Sequence, residues 1–102
     1  MHLDHLKDLG CWKSVVEIPS LEGADSLLDG NANYRENALD KCKQVAKKRE
    51  YCLFGLQDGG KCVGSATMEH VYQKNGKSQA CPTSGKGGAG ANSVYKRKLC
   101  SG

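Results

Sequence analysis

The sequence predicts a small disulfide-stapled α+β domain, with one main helix packed on a short antiparallel sheet of about three to five strands. Three observations lead to this prediction: six cysteines in 102 residues, one stretch with helical periodicity, and one hairpin sequence. A chain of this length forms one domain and lies near the lower size limit for a self-sufficient core. Since only 38% of the residues are hydrophobic, cross-links are expected to supply stability that apolar burial does not.

The spacing of the cysteines favours disulfides over a metal site. Successive cysteines stand 31, 10, 10, 19 and 19 residues apart, and the chain has no C-x-x-C or H-x₃-H pair, whereas zinc ligands usually come in such close pairs. Three disulfides are therefore predicted, at roughly 2–4 kcal/mol each, with no metal and no cofactor. Disulfides persist in oxidising compartments, so we expect a secreted or extracellular protein.

Residues 51–65, YCLFGLQDGGKCVGS, predict a β-hairpin. The loop residues 58–60, Asp-Gly-Gly, accept the positive φ that a tight hairpin requires. With a two-residue loop, Cys52 shares a face with Val63, and Cys62 lies on the opposite face. We therefore expect that Cys52 and Cys62 do not bond to each other, and that each ties the hairpin to a different part of the chain.

The main helix is predicted to follow Asn33 and to span about sixteen residues. Asn33 is a good N-cap, and Glu36 three residues later completes a capping-box pattern. Apolar residues then recur at spacings of three and four and form one stripe: Ala38, Leu39, Cys42, Val45 and Ala46. Because Cys42 lies in the middle of this stripe, we expect it to face the core and to bridge to the hairpin.

The rest of the chain predicts short elements and loops. Residues 17–30 favour turns, and residues 65–74 favour a turn or two of helix that ends at Asn75-Gly76. Residues 76–92 are rich in glycine but lack the G-x₄-G-K-[ST] pattern of a phosphate-binding loop, which predicts a surface loop pinned by Cys81. Residues 93–100, SVYKRKLC, predict a closing strand.

We expect one module over residues 1–102, with its core at about 11–100 and a flexible terminus at 1–10. The opening residues, MHLDHLKDLG, do not have the pattern of a signal peptide, which indicates a mature domain or a module cut from a longer protein.

Charge is distributed unevenly along the chain. Residues 1–30 carry a net charge of −4 and residues 31–102 a net charge of +8. Such asymmetry can mark an anionic partner, or an acidic segment can pack across its own basic half. Two interpretations are also open for the basic cluster of the helix, which can be a solvated face or a site for phosphate or a sulfated polymer: Lys41, Lys43, Lys47, Lys48 and Arg49.

Motifs of catalysis and of membrane insertion are absent from the sequence. The chain has no G-x-S-x-G and no H-E-x-x-H, and His70 has no recognisable acid or nucleophile partner. No stretch approaches the roughly 18 apolar residues that a membrane span requires. We expect a protein that is not an enzyme, does not bind nucleic acid and does not insert into membranes; its oligomeric state stays open.

Several short motifs in order resemble a WSC-like, PAN/apple-like cysteine-rich module of secreted invertebrate proteins. The resemblance runs from about Cys11 to Tyr95. It rests on Cys11-Trp12, 18–23 (IPSLEG), 28–30 (LDG), Lys41-Cys42, 54–62 (FGLQDGGKC), 72–74 (YQK), Cys81, 85–88 (GKGG) and 91–95 (ANSVY). It implies glycan or protein recognition outside the cell.

The resemblance also bears on the pairing of the cysteines. It implies that Cys52 and Cys100 form an added pair, and a closing strand beside residues 51–57 would bring these two together. The preferred pairing, one of fifteen, is then Cys52–Cys100, Cys42–Cys62 and Cys11–Cys81.

The expected function is that of a lectin-like recognition module that binds carbohydrate on glycoproteins or cell surfaces. The alternative is a secreted defence or venom-type effector polypeptide that acts on a protein target. Sugar sites combine an aromatic platform with amide and carboxylate partners. Trp12 and Tyr34 are also of a suitable type, but Trp12 and Tyr95 favour the core, since aromatic residues dominate small cores. A neutral glycan is favoured over an acidic one. The candidate ligand-binding residues are Gln57, Asp58, Tyr72, Asn75, Asn92 and Tyr95.

Overall fold

The structure is a computed structural model, and it describes residues 6–82, 87–98 and 100. One helix packs on a four-stranded antiparallel sheet of strand order β1-β4-β2-β3, and three disulfides join the elements. The predicted α+β fold is confirmed. The elements are β1 (Leu6–Lys13), α1 (Ala38–Lys48), β2 (Leu53–Gln57), β3 (Lys61–Gly64) and β4 (Ala91–Arg97).

Strand β4 lies inside the sheet, between β1 and β2. The prediction that a closing strand lies beside the first strand of the hairpin is confirmed, because Phe54 opposes Tyr95 in an antiparallel pair. The strand begins at Ala91, two positions earlier than predicted. It does so because Gly88 and Ala91 exchange two backbone hydrogen bonds, which close a tight turn immediately before the strand. Leu99 of the predicted strand lies outside the described residues.

Each face of the sheet covers its own hydrophobic cluster, since successive side chains of a strand point to opposite faces. The helix covers the first cluster, which we call the helix-side cluster: Leu21, Leu28, Ala38, Cys42, Val45, Ala46, Phe54, Leu56, Cys62 and Tyr95. Loops and a 3-10 turn (Met68–His70) cover the second, the loop-side cluster: Val15, Ile18, Leu53, Val63, Met68 and Val94.

The predicted start and length of the helix are wrong. Helix α1 has 11 residues and begins at Ala38. Neither Asn33 nor Glu36 caps it, and the residue that precedes it, Asn37, makes no side-chain capping bond. The apolar stripe is confirmed, since Cys42 and Val45 are fully buried. A helix this short is marginal in water on its own, so burial of this stripe must hold it.

A buried arginine explains the late start of the helix. Residues 32–34 form a separate 3-10 turn (Ala32–Tyr34), and Arg35 after it is extended, with φ −71° and ψ 124°. This conformation turns the guanidinium into the domain, where it pairs with Glu22. The chain then re-enters a helix through Asn37, which takes a left-handed conformation at φ 55°. The ion pair thus overrides the local capping signal.

The hairpin has the expected strands but a different register. Leu56 opposes Cys62 and Gln57 opposes Lys61, which leaves a three-residue loop instead of the two-residue loop of the prediction. The third loop residue, Gly60, approaches the carbonyl of Ala32 so closely that a β-carbon would lie 2.5 Å from that oxygen. Packing against the 3-10 turn therefore fixes the loop length.

The new register changes the face of one hairpin cysteine. Cys62 shares a face with Leu56 in the helix-side cluster, whereas Cys52, just before β2, packs against the loop-side cluster. The expectation that the two do not bond to each other is confirmed. The reason is not the register that the sequence predicted. Cys52 precedes β2 and packs on the loop-side cluster, whereas Cys62 lies in the helix-side cluster.

All three predicted disulfides are confirmed. Cys42–Cys62 joins the helix to β3, with Cα atoms 5.4 Å apart. Cys11–Cys81 joins β1 to the segment that precedes the glycine-rich loop, and Cys52–Cys100 joins the start of β2 to the chain beyond β4. Each therefore ties the sheet to a different segment of the chain.

The amino-terminal segment forms a strand where the structure describes it. Leu6–Lys13 is edge strand β1, and residues 1–5 of the terminus that was predicted to be flexible lie outside the described residues. Pairing with β4 orders this segment. A β-bulge interrupts the pairing between Asp8 and Gly10, where Gly10 has φ 99° and its N–H donates to Asp8 Oδ1 at 2.8 Å.

Substitution of Gly88 tests how tightly the glycine-rich loop packs. A β-carbon at Gly88 would lie 1.9 Å from the carbonyl oxygen of Ala80, so Gly88→Ala should lower the free energy of unfolding by about 3 kcal/mol. Gly90→Ala is the matched control, because Gly90 has φ 65° but no atom within 4 Å of its β-carbon position; a cost of about 1 kcal/mol is expected. Chemical denaturation measures both, and equal losses would contradict this packing.

The order in which the disulfides are reduced should follow their burial. Cys42 and Cys62 are fully buried, while the cysteines of the other two disulfides are partly exposed. A limiting amount of a water-soluble reductant under native conditions should therefore open Cys11–Cys81 and Cys52–Cys100 first. Alkylation followed by peptide mapping reports the order, and early alkylation of Cys42 would contradict it.

Candidate functional site

Four loops meet at the end of the sheet where β1 and β2 finish and β3 and β4 begin, and we call this the tip end. The loops are residues 14–18, 58–60, 73–77 and 87–90. Backbone hydrogen bonds join them: the Asp58 N–H donates to the Gly88 carbonyl at 3.1 Å and the Lys13 N–H to the Gly76 carbonyl at 2.9 Å. The tip end is therefore a connected surface.

A chain of hydrogen bonds links two predicted site residues, Asp58 and Asn75. The Gly90 N–H donates to Asp58 Oδ1 at 3.3 Å, and the Ser14 N–H donates to the Gly90 carbonyl at 2.9 Å. Asn75 Nδ2 then donates to the Ser14 carbonyl at 2.8 Å. Both side chains are exposed, and each keeps one oxygen that accepts no hydrogen bond from the described residues. These oxygens are held in place before any ligand arrives, which lowers the entropic cost of binding.

Gln57 and Asn92, two further predicted site residues, are neighbours in the sheet. They oppose each other on β2 and β4, and Trp12 opposes Asn92 on β1. Only 3% of Asn92 is exposed, and its Oδ1 accepts no hydrogen bond from any residue that the structure describes. A buried oxygen without a hydrogen-bond partner costs about 1–3 kcal/mol, so Asn92 Oδ1 destabilises the folded state as it stands. Gln57 lies half-buried beside it.

Tyr72 lies against the edge of Trp12 and not on an open surface. The two ring centroids are 5.4 Å apart with perpendicular planes, and the Nζ of Lys77 lies 5.5 Å from the Trp12 centroid. Trp12 Nε1 donates to the Leu9 carbonyl at 2.8 Å, so the polar group of the indole is satisfied. Both rings pack against the loop-side cluster. The two rings are half-buried beside the tip end, and Lys77 lies over the ring of Trp12.

The structure separates Tyr95 from the other five candidates. Its ring is 8% exposed and stacks on Phe54 in the helix-side cluster, with centroids 5.8 Å apart. Burial and the nearby charge of Asp8 raise the pKa of Tyr95, and a hydrogen bond with Ser93 offsets part of the effect. Tyr95 is a core residue on the opposite face of the sheet, so we leave it out of the candidate site.

Tyr34 is the exposed aromatic residue of this region. It is 84% exposed and belongs to the 3-10 turn that packs on the hairpin loop. The side chain of the preceding residue, Asn33, lies against Gly59, since a β-carbon at Gly59 would be 3.3 Å from Asn33 Oδ1. Asp58 therefore stands between two polar regions, with Asn33 on one side and Gly90 on the other. The sequence identified Tyr34 as a suitable aromatic residue but placed it in the main helix, and its exposed position on a separate turn follows only from the structure.

Arg35 anchors the turn that carries Tyr34. Its guanidinium donates to both carboxylate oxygens of Glu22, at 2.8 and 2.5 Å, and also to the carbonyls of Leu28 and Gly60, at 2.6 and 3.0 Å. Bidentate pairing of this kind is strong and geometrically specific. The Arg35 side chain is only 2% exposed, so the turn next to it is held rigidly against the hairpin.

Glu22 is the acidic partner of this anchor, and its pKa lies below its ordinary value. Burial alone would raise the pKa of Glu22, but hydrogen bonds from Arg35 and from the Cys62 N–H outweigh burial and lower it. The carboxylate thus stays charged at neutral pH. It ties the acidic amino-terminal segment to the start of β3.

The acidic segment pairs with the basic half of its own chain. Besides Glu22, Asp25 pairs with Lys48 at 3.2 Å, and Glu17 pairs with Lys74. These contacts support the reading in which the charge asymmetry is neutralised internally, at least for three of the acidic residues. The basic end of α1 lies far from the tip end, because the helix starts beside Gly60 and ends where the Tyr51 N–H donates to the Ala46 carbonyl.

Among the described residues, no three His, Cys, Asp or Glu side chains form a group that could hold a metal ion. The described helix is too short and too polar to cross a membrane. No protein-family model matches this chain, and no curated protein matches it. The resemblance to WSC-like and PAN/apple-like modules therefore stays a prediction.

The ion pair of Glu22 and Arg35 makes a pH-dependent contribution to stability. Because the pKa of Glu22 is lowered in the folded state, the contribution is complete above the ordinary value of 4.5 and is lost as pH falls through the lower, folded-state pKa. Glu22→Gln should cost roughly 2–3 kcal/mol at neutral pH, less than a fully buried pair would, because the Glu22 side chain is 23% exposed.

Chemical denaturation at several pH values measures this effect. The difference between the wild type and Glu22→Gln should shrink below pH 4.5. Glu36→Gln is the control, because Glu36 is exposed and forms no ion pair within the described part of the chain. A difference that stays constant between neutral and strongly acidic pH would show that the charge of Glu22 does not matter.

Proposed function

We propose that this protein is a secreted, non-enzymatic recognition module that binds a neutral oligosaccharide across the tip end. The observation that carries the proposal is the position of Asp58. Its exposed carboxylate stands between the 3-10 turn of the exposed Tyr34 on one side and the loop bonded to Ser14 and Asn75 on the other. Three disulfides support a protein that works in an oxidising compartment.

The side chains around Asp58 have the chemistry that sugars require. The ring of Tyr34 can stack on the apolar face of a pyranose, while carboxylate and amide oxygens accept hydrogen bonds from its hydroxyl groups. Both flanks of Asp58 are held by tertiary contacts, through Arg35 on one side and the Ser14–Asn75 bond on the other. Side chains held in this way lose little entropy on binding. An extended ligand suits this arrangement better than a single sugar, because the groups lie along the surface and not around a pocket.

Binding to an array of neutral and acidic oligosaccharides tests the proposal. A neutral oligosaccharide should be bound, and the affinity should change little between low and moderate salt, because stacking and hydrogen bonds are less sensitive to salt than exposed charges are. Silence across the array would overturn the carbohydrate proposal and favour an effector that acts on a protein target. Binding restricted to sulfated or acidic glycans, with steep salt dependence, would contradict the neutral ligand.

Two variants of the tip end and one distant control locate the site. Tyr34→Ala removes the exposed ring and should weaken binding about threefold to tenfold. Asp58→Asn keeps a residue that tolerates its φ of 52°, and it should weaken binding by removing the carboxylate. Lys47→Glu/Lys48→Glu reverses charge at the far end of α1 and should leave the affinity unchanged. Titration of the array-identified oligosaccharide measures all three, and loss of binding in the lysine variant alone would move the site to the helix.

A further inference from the structure

We propose that Asn75 is a site of spontaneous deamidation, and that the reaction unfastens residues 73–77 from the end of β1. Asn75-Gly76 is the one Asn-Gly pair in the sequence. It lies at the end of the short turn region after Met68–His70, and its asparagine is exposed. The proposed reaction involves this dipeptide and the contacts that hold it, and it does not depend on carbohydrate binding.

The reaction joins the backbone to the side chain of the preceding residue. The backbone nitrogen of Gly76 loses its proton to hydroxide and attacks Cγ of Asn75, and the side-chain nitrogen takes up a proton and leaves as ammonia. The product is a five-membered succinimide. Water then opens either of its two carbonyl groups, which gives aspartate or isoaspartate at position 75. The net change consumes one water molecule and releases one ammonia, without oxidation or reduction.

The surroundings of Asn75 favour this site over the other asparagines. Gly76 has no β-carbon to shield its nitrogen, and no atom lies within 4 Å of the place where a β-carbon would be. Asn31, Asn33 and Asn37 precede alanine or tyrosine, whose side chains hinder the attack, and Asn92 is 3% exposed. Asn75 thus combines exposure with an unhindered nucleophile.

Two hydrogen bonds hold the reacting groups and set the rate in the folded protein. The Gly76 N–H donates to the Gln73 carbonyl at 3.1 Å, and Asn75 Nδ2 donates to the Ser14 carbonyl at 2.8 Å. Cyclisation requires the turn to open and the amide to leave Ser14. The ion pair of Lys74 and Glu17 holds the same segment against the 14–18 loop. We therefore expect the folded protein to react at least about fivefold more slowly than the unfolded chain, which is the effect of one hydrogen bond of ordinary strength.

Deamidation removes the tether that slowed it. An aspartate at position 75 has no N–H to donate to the Ser14 carbonyl, and its negative charge is repelled by that oxygen. Isoaspartate also lengthens the backbone next to Gly76, whose carbonyl accepts the Lys13 N–H at 2.9 Å. Both products weaken the attachment of residues 73–77 to the end of β1. The Cys11–Cys81 disulfide keeps the segment linked to the sheet after the tether is lost.

The test follows the purified, oxidised protein in mildly alkaline buffer by peptide mass spectrometry. The peptide with Asn75 should gain the mass of an amide-to-acid conversion, at a rate that rises with pH, and it should contain isoaspartate. Asn75→Gln should show no conversion at this position, because its side chain would have to close a larger ring. Aspartate without isoaspartate would overturn the succinimide route, and first conversion at another asparagine would overturn the choice of site.

A variant outside the dipeptide tests the role of the tethers. Glu17→Gln removes the partner of Lys74 without altering the reacting sequence, so deamidation of the folded protein should accelerate about twofold, the effect of one exposed ion pair. Glu36→Gln is the control and should leave the rate unchanged, because Glu36 is exposed and forms no ion pair in the part of the chain that the structure describes. After reduction and unfolding, all of these proteins should react at one common, faster rate. Equal rates in the folded and unfolded wild type would overturn control by the fold.

A last measurement separates the release of the segment from the chemistry. Asn75→Asp reproduces one product directly, and it should increase hydrogen exchange at the Lys13 amide, which donates to Gly76. Unchanged exchange at this amide would show that the tether does not fasten the segment, and would overturn that part of the proposal.

Discussion

The pairing of Arg35 with Glu22 is the interaction on which the arrangement of the domain depends. One guanidinium binds Glu22 of the acidic amino-terminal segment, the Leu28 carbonyl of a 3-10 turn (Ser26–Leu28), and the Gly60 carbonyl of the hairpin loop. Glu22 also accepts a hydrogen bond from the Cys62 N–H, so the same carboxylate contacts the residue that is joined to the helix by the Cys42–Cys62 disulfide. A pair this buried costs desolvation, so its net contribution to stability is smaller than the number of its hydrogen bonds suggests, and it joins three segments in one arrangement.

The disulfides and the ion pair stabilise different parts of this small domain. Each disulfide fixes a pair of elements, whereas the ion pair orients the turns that lie outside the sheet. Because directional bonds hold the turns in addition to buried residues such as Leu28, polar side chains such as Asp58 can remain at the surface in defined positions. Polar groups at the tip end are thus held in defined positions although they are exposed.

The fold could be predicted from sequence where the signal was local. The stripe around Cys42 and the glycines of the hairpin loop depend on near neighbours, and both were identified correctly. The helix start and the hairpin register were wrong because distant contacts decide them: Arg35 is drawn inward by Glu22, and Gly60 by Ala32. Candidate site residues meet at the tip end for a similar reason, through bonds between loops that no local pattern encodes. Tyr95 instead lies in the core, because an aromatic side chain suits a core as well as a site.

The bulge in β1 has a consequence for the behaviour of the protein at high concentration. An edge strand with regular backbone groups is a template on which another chain can add by hydrogen bonding. In β1 the bulge interrupts the regular spacing of backbone groups, and the Gly10 N–H already donates to the Asp8 carboxylate. The charged side chains of Lys7 and Asp8 are both exposed. The opposite edge is covered, since the Leu21 N–H donates to the Cys62 carbonyl. Within the described residues, both edges of the sheet therefore offer few regular backbone groups for pairing with another chain, which disfavours edge-to-edge association at high concentration.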